Sequence, residues 1–467
     1  SQIFYRKKTK QENTDIDTMT GNNEIRYISL GRNPGVGASC HYLKFGDWGV
    51  ILDAGLDPQD SDQASHPDFE RLKGLPVNAI IVSHAHLDHL GALPLAIRYF
   101  PHARVYMTPA TLALSEVMLF HYIKVREKQA RQGFEKFIPL YTAEEVENQL
   151  FLYQAFDYNT SFTIHGFWAS QINITFWDAG HILGSAGIEL AWRGRKIFYT
   201  GNTKKSSQFI LKGARYPDKT DILISETTYG GNESAPAIKK RGEINRIAEF
   251  IREKIRLNGA VLIPVFALGR TQEILYLLYQ LISRGKLPAI PIYLIGLGLK
   301  INKIYDRLLH KTYPKYQPKL LKTITSDVLF RKNYRKPCII LATSGMMMPN
   351  TLSYEIAGEF LEDAKNGIAL VGWADPETPA GKFRDKNYQK ISETFGVKKI
   401  NCSIDIFHFS AHSHREELLH MAEQLHPQTC LLCHGDADSL TWMKKAMEER
   451  KIAEKVSIPA SHEFLKL

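Results

Sequence analysis

Apolar runs five or six residues long, bounded by Gly, Asp, Asn or Pro, recur from Ile25 onward: IRYISL, WGVILD, NAIIVS, ARVYM, INITFW, IELAW, KIFYT and DILIS. Their β-branched and aromatic content predicts strands. Between Pro109 and Glu147, TLALSEVMLFHYIKVREKQARQ repeats apolar positions every three or four residues and predicts a helix. The texture changes near residue 229. There IKKRGEINRIAEFIREKIR, TQEILYLLYQLISR and KINKIYDRLL, all helix-like, alternate with GAVLIPVF, PIYLI and PCIILAT, all strand-like. That alternation predicts a parallel sheet covered on both faces. From about 402, CSIDIFHFS and TCLLCH bring short strands back, interleaved with helix-like HREELLHMAEQL and SLTWMKKAMEER. The expected layout is a polar tail over 1–24 and a mixed α/β domain over 25–228. A Rossmann-like module over 229–401 interrupts that domain, which resumes over 402–467.

Composition narrows the class. The 467 residues are 44% hydrophobic and 23% charged, as in ordinary soluble globular chains. No run approaches the ~18 apolar residues of a spanning helix, so no membrane partner is expected. The net charge of +10 suits a polyanionic partner, most simply nucleic acid. Five cysteines, Cys40, Cys338, Cys402, Cys430 and Cys433, are too few for a disulfide scaffold. With no apolar segment at the N-terminus, a cytoplasmic location is expected.

The densest chemistry is in IIVSHAHLDHLGALP, where His84, His86, Asp88 and His89 follow an apolar strand. Imidazole and carboxylate together suit zinc and related divalent ions. Side chains two apart on an extended backbone project the same way, so His84 and His86 can reach one ion while Asp88 and His89 turn to a second. Asp53 ends WGVILDAG, His181 sits in DAGHILGSAG and His434 ends TCLLCH. Cys430-Leu-Leu-Cys433-His434 also matches a haem-attachment pattern, but that attachment belongs to exported proteins. GRNPGVGAS resembles a phosphate loop without its GK[ST] ending.

These motifs resemble the metallo-β-lactamase superfamily: the HxHxDH loop, the Asp of ILDAG and the His of AGHILG. The inserted module resembles its β-CASP branch of nucleases through Glu226 in SETTYG, PVFALGRTQE, ATSGMM, His412 in FSAH and His434 in HGD. The resemblance implies an αββα sandwich interrupted by a β-CASP module, and two Zn²⁺ ions, with Mn²⁺ as an alternative. It assigns His84, His86 and His181 to one ion and Asp88, His89 and His434 to the other, with Asp53 orienting a ligand histidine. Asp88 and the residue at 202 would serve the attack on phosphorus, and His412, backed by Glu226, would protonate the leaving 3′-oxygen.

One position departs from the family pattern. Where the family carries an Asp bridging both metals in a TGD turn, this chain has Asn202 in YTGN. An amide oxygen can touch an ion but brings no charge. At ~4 Å and an effective dielectric of ~20, the missing charge is worth ~4 kcal/mol of attraction. A natural variant and an inactive subunit are alternatives; an inactivating substitution is favoured, because the other site residues are intact.

Arg270, after Gly269 at a helix start, and Lys300, after GLG, are the expected substrate contacts, with Ser344 and Gly345 of ATSG as a phosphate loop. Lys204 and Lys205, directly after Asn202, extend the basic track, and Lys239, Lys240 and Arg241 fit RNA contact or a solvated helix face equally. The expectation is a zinc-dependent ribonuclease acting on single-stranded RNA, endonucleolytic in preference to 5′–3′ exonucleolytic, and impaired by Asn202. In length it resembles compact relatives of the cleavage-and-polyadenylation endonuclease rather than RNase J. A homodimer or an RNA-processing complex is the expected assembly. The alternative is an inactive RNA-binding or scaffold subunit.

Overall fold

Alternation along the strands decides which layer each side chain joins. The computed structural model describes residues 24–57, 65–133, 138–165, 171–231, 239–312, 316–317, 319–325, 333–372 and 374–467; all but the last residue of the expected tail lies outside them. Within the described residues the strands form three sheets. The first orders Leu465–Lys466, Ile25–Ser29, His41–Phe45, Trp48–Leu52, Ala79–Ile81, Arg104–Met107 and Tyr153–Ala155. The second orders Lys455–Ser457, Thr429–Cys433, Ile222–Glu226, Arg195–Tyr199, Ala186–Trp192, Gln171–Asp178 and Ser161–His165.

These two sheets face each other. Val50, Leu52 and Ile81 from the first meet Ile174, Ile188, Ile197 and Ile224 from the second in one buried core. The intervening positions, Ile51, Ile80 and Val105, point the other way onto helices Leu93–Tyr99 and Pro109–Arg131. On the far side Phe198, Leu223 and Leu432 pack against helices Arg415–Leu425 and Ala437–Glu449. Period-two burial thus builds an αββα sandwich.

The third sheet is wholly parallel, in the order Ile292–Ile295, Cys338–Ala342, Ala260–Pro264, Gly367–Leu370 and Ser403–Ile406. Val261 and Ile263 face one side and Ala260 and Leu262 the other, each within its own buried cluster, as in a sheet covered on both faces. The return to the sandwich is expected from 402, but Ser403–Ile406 is the edge of this inserted sheet, parallel to Gly367–Leu370. Its composition marks a strand without saying which sheet it joins. Ile404 and Ile406 settle the matter by packing on the inserted lobe's core. The following chain supplies Thr429–Cys433, paired with Ile222–Glu226, and Leu465–Lys466, paired with Ile25–Ser29. Within the described residues no helix is long and apolar enough to cross a membrane.

Candidate metal centre

The chemistry-bearing residues follow strand ends. Asp53 follows Trp48–Leu52, His84 and His86 follow Ala79–Ile81, and Asp88 and His89 lie in the short helix Leu87–Leu90. His181 follows Gln171–Asp178, Asn202 follows Arg195–Tyr199, Glu226 ends Ile222–Glu226 and His434 follows Thr429–Cys433. Carboxyl ends of strands are where α/β folds gather ligands. Two groups result. The ligand atoms of His84, His86 and His181 lie within 4.8 Å of one another, and so do those of Asp88, His89 and His434.

A group behind each imidazole decides which nitrogen faces inward. Asp53, fully buried, accepts from Ser83 N at 2.6 Å, Ser83 Oγ at 2.7 Å, Tyr199 OH at 2.7 Å and His89 Nδ1 at 2.7 Å. His89 therefore turns Nε2 inward. Because the Ser83 hydroxyl donates to Asp53, its oxygen accepts from His84 Nδ1 at 3.0 Å. That leaves His84 Nε2, which is buried with no hydrogen-bond partner. His181 Nδ1 donates to the Ala411 carbonyl at 2.9 Å and His86 Nε2 to the Leu268 carbonyl at 3.2 Å. The Thr228 hydroxyl donates to the His434 carbonyl and accepts from His434 Nδ1 at 3.0 Å.

The remaining nitrogens face each other. His181 Nε2 and His86 Nδ1 are 3.1 Å apart, and His89 Nε2 and His434 Nε2 are 3.2 Å apart. With each imidazole neutral and its other nitrogen donating as above, these contacts set lone pair against lone pair, which a cation beside both would relieve. Tetrahedral zinc, with nitrogens at ~2.0–2.1 Å, would hold its ligands ~3.3–3.4 Å apart. Together with the orphaned His84 Nε2, this donor set fits two divalent ions. Burial drives the His84 and His181 imidazoles well below their ordinary range, so they are neutral, as ligands must be. Burial pushes the Asp88 carboxyl up, but His89 and His434 outweigh that and hold it well below the usual range.

A cavity of about 350 Å³ opens onto both groups. His86, Asp88, His181, Asn202 and His434 line it from the sandwich, and Phe266, Arg270 and Met346 from the inserted lobe. Asn202 is 2% exposed, and its Oδ1 has no hydrogen-bond partner. Beside the cavity, His412 Nδ1 donates to Glu226 Oε2 at 2.9 Å. Burial pushes the Glu226 carboxyl up, and His412 more than reverses this, so Glu226 is an anionic acceptor. His412 and Arg270 also line a second cavity of about 340 Å³ with Lys204, Lys240 and Arg384. The glycine-rich GRNPGVGAS segment contributes Arg32, Val36 and Gly37 to the first cavity.

Other expected contacts are placed differently. Lys300 is exposed on helix Gly298–Thr312 and lines neither cavity. Its charge acts on His121 of helix Pro109–Arg131, against which its own helix packs. The face of the helix, which a glycine turn does not reveal, sets its direction. Gly345 borders a small crevice beside Arg270 and Arg384, while the Ser344 carbonyl accepts from Ser353 Oγ. Lys204 is paired with Glu417 at 3.0 Å, and His414 caps helix Arg415–Leu425. Cys430 and Cys433 are buried free thiols. Sequence reasoning does not single out Ser83, Tyr199 and Thr228, whose roles depend on neighbours distant in the chain.

Three family models match in succession: a metallo-beta-lactamase superfamily domain over 42–228, a Beta-Casp domain over 271–383 and a Zn-dependent metallo-hydrolase RNA specificity domain over 397–459. Cleavage and polyadenylation specificity factor 73 of Drosophila melanogaster is 29% identical over 90% of this chain and 61% of its own length. Endoribonuclease YSH1 of Eremothecium gossypii is 28% identical over 91% and 56%. Transcription termination factor FttA of Methanothermobacter thermautotrophicus is 29% identical over 89% and 68%. The chain thus spans somewhat over half the length of the first two. A crystal structure of a protein of unknown function from Enterococcus faecalis V583 shares the fold, with a TM-score of 0.55, 14% identity, and coverage of 95% of this chain and 100% of that one. Since the three matched segments succeed one another as sandwich, inserted lobe and return, the protein belongs to the metallo-β-lactamase superfamily and, within it, to the β-CASP branch.

Proposed function

We propose that the protein is a zinc-dependent ribonuclease hydrolysing phosphodiester bonds in single-stranded RNA, endonucleolytic in preference to 5′–3′ exonucleolytic, and slowed by asparagine at 202. The observation that carries this reading is the pair of three-ligand groups opening onto one cavity between the lobes, with Arg270 in its wall and His412 beside it. RNA is supported by the matched RNA specificity domain, the endoribonuclease relatives and the net charge of +10. A processing complex as its setting is supported by the relative named as a cleavage and polyadenylation factor.

His84, His86 and His181 would hold one ion and Asp88, His89 and His434 the other. Two divalent ions, zinc or manganese, would activate a water and offset charge on the phosphoryl oxygens. The chain's own groups do the rest. Arg270, buried at a helix start and cationic, orients the phosphate. His412 keeps one proton on Nδ1, donated to Glu226, and carries the proton for the leaving 3′-oxygen on Nε2. The water gives up one proton to bulk solvent as its oxygen bonds to phosphorus, the bond to the 3′-oxygen breaks, and the Nε2 proton passes to that oxygen, solvent then reprotonating His412. Exposed Phe266 in the cavity wall offers a face on which a base can stack.

Asn202 sets the rate. Asp88 is the single carboxylate among six ligands, and two divalent ions call for more negative charge than that. Outer partners of a metal typically change affinity or activity ~10–100-fold, so an absent bridging carboxylate should cost at least ~100-fold in rate. The test is cleavage of labelled RNA, with zinc or manganese, by the protein and by Asn202→Asp. RNA binding by both and cleavage at least ~100-fold faster by Asn202→Asp is the expected result. Equal rates would remove the role assigned to position 202. A second reading, an inactive RNA-binding subunit, rests on Asn202 alone; it gains if Asn202→Asp binds two ions and RNA and still does not cut.

A further inference from the structure

Only one of the two ligand groups takes support from the inserted lobe, although its His84 and His181 imidazoles rest on Ser83 and on the Ala411 carbonyl of the returning chain. Among the described residues, those behind Asp88, His89 and His434 belong to the sandwich: Asp53 on His89 Nδ1, Thr228 on His434 Nδ1, and Ser39 N on the Asp88 carbonyl at 2.8 Å. The His84–His86–His181 group is different. His86 leans on the carbonyl of Leu268, in the inserted lobe. Two residues past His181, Leu183 N donates to Tyr305 OH of helix Gly298–Thr312 at 3.2 Å. Ile182 closes on Gly269, where an added Cβ would lie 2.5 Å from Ile182 Cγ2.

A strap of the sandwich, residues 207–211, completes this link. Gln208 Nε2 donates to the carbonyls of Gly180 and His181, each at 2.7 Å, so the strap holds the ligand's own backbone. The inserted lobe in turn holds the strap. Glu273 accepts from three successive N–H groups, Phe209 at 2.5 Å, Ile210 at 2.9 Å and Leu211 at 3.2 Å. Lys240 Nζ donates to the Ser207 and Gln208 carbonyls at 2.9 and 2.7 Å and lies 4.4 Å from the centre of the Phe209 ring. Glu273 is 1% exposed, so removing its carboxylate while the lobes stay docked leaves three strap N–H groups buried without their acceptor.

We infer that docking of the inserted lobe sets how tightly the His84–His86–His181 group holds its ion, with Glu273 as the positioning residue, while the Asp88–His89–His434 group is indifferent to that docking. The inference rests on the reading above that both groups hold ions. Glu273→Gln replaces one acceptor oxygen with an N–H donor facing N–H donors. Tyr305→Phe removes a single hydroxyl and leaves the packing in place.

The test is zinc content of the full chain across a series of buffered free-zinc concentrations, with hydrogen exchange read segment by segment. Glu273→Gln should weaken one of two ions about tenfold, the lower end of the range for groups behind a ligand, and leave the other unchanged. Exchange should quicken over 179–185 and 207–211 and stay unchanged over 429–436. Tyr305→Phe should move the same ion in the same direction, by less, and it decides the matter if Glu273→Gln does not fold. Two ions held by the original chain but weakened together, or not at all, in the variants would overturn this inference alone. An original chain that binds no zinc would overturn the function reading and this inference with it.

Discussion

A buried imidazole is defined by what stands behind it, and the site shows this at five positions. His41 shows it without any ligand role. It is 3% exposed, bonded through Nδ1 to Tyr27 OH at 2.8 Å and edged against the Tyr199 ring, 5.2 Å between centroids. Its Nε2 has no hydrogen-bond partner. Burial pushes its pKa down to about 4, with nearby Asp53 opposing too weakly to prevent it. Free in an unfolded chain it titrates near ~6.5. Between those values the unfolded chain takes up a proton that the folded chain refuses, so acid favours unfolding. The contribution to stability is complete above ~6.5 and is lost as pH falls toward 4, about 2 kcal/mol by pH 5. Urea unfolding of metal-free protein at pH 7.5 and pH 5 should therefore show a pH gap about 2 kcal/mol smaller in His41→Gln than in the original chain. The other buried histidines are common to both proteins, so the comparison isolates His41 together with its coupling to His89 and His434. Identical gaps would mean His41 is protonated when folded.

At the scale of elements, backbone bonds join the Asp53 carboxylate in holding the HAHLDH loop. The turn after Trp48–Leu52 is knitted to it, Ala54 N donating to His89 O at 2.8 Å and Leu56 N to Leu87 O at 2.7 Å, and Ser39 N, ahead of strand His41–Phe45, donates to Asp88 O at 2.8 Å. Gly55 is where the two backbones touch. A Cβ there would lie 1.8 Å from Asp88 O and 2.7 Å from Ser39 N, neither of which can move without breaking these bonds. Gly55→Ala should cost about 3 kcal/mol, the upper end for overpacking, and lower the thermal midpoint. An unchanged midpoint would show that the two segments are looser than they look. The sequence is informative about this level in proportion to how locally the chemistry is written. HAHLDH is contiguous, so its role is legible, and the Asp of ILDAG and His of AGHILG are legible once that loop is. Glu273 falls within GRTQE, yet its partners lie over sixty residues away, and its burial follows from lobe packing. Strands His41–Phe45 and Ser161–His165 are missed because each carries polar residues through the run. Ser403–Ile406 is read as a strand but in the wrong sheet, because strand composition is shared by every sheet in the protein.

For the molecule as a whole, the question is where an RNA strand would run. The inserted lobe and the sandwich meet along two cavities that share Arg270, Tyr229 and His412, and cationic side chains line the seam from both sides. Lys204 is partly neutralised by Glu417, and Glu273 acts on Arg270 and Lys240 from behind, while Arg384 bonds to the uncharged Gly372 carbonyl. Each phosphate neutralised by a lysine or arginine releases counterions, and for single strands log affinity falls with log salt at about −0.7 per contact. Two to four contacts along the seam give a slope of about −1.4 to −2.8, a loss of roughly 7- to 50-fold between 50 and 200 mM salt. Fluorescence anisotropy with a labelled oligo-uridine should show that loss. Arg384→Ala should make the slope shallower by about 0.7. Lys300→Ala should leave it unchanged, because Lys300 lies toward helix Pro109–Arg131 and outside both cavities. The pair of variants makes the path testable without any cleavage. If Lys300→Ala flattened the slope and Arg384→Ala did not, the strand would run over the outer face of helix Gly298–Thr312 rather than through the seam between the lobes.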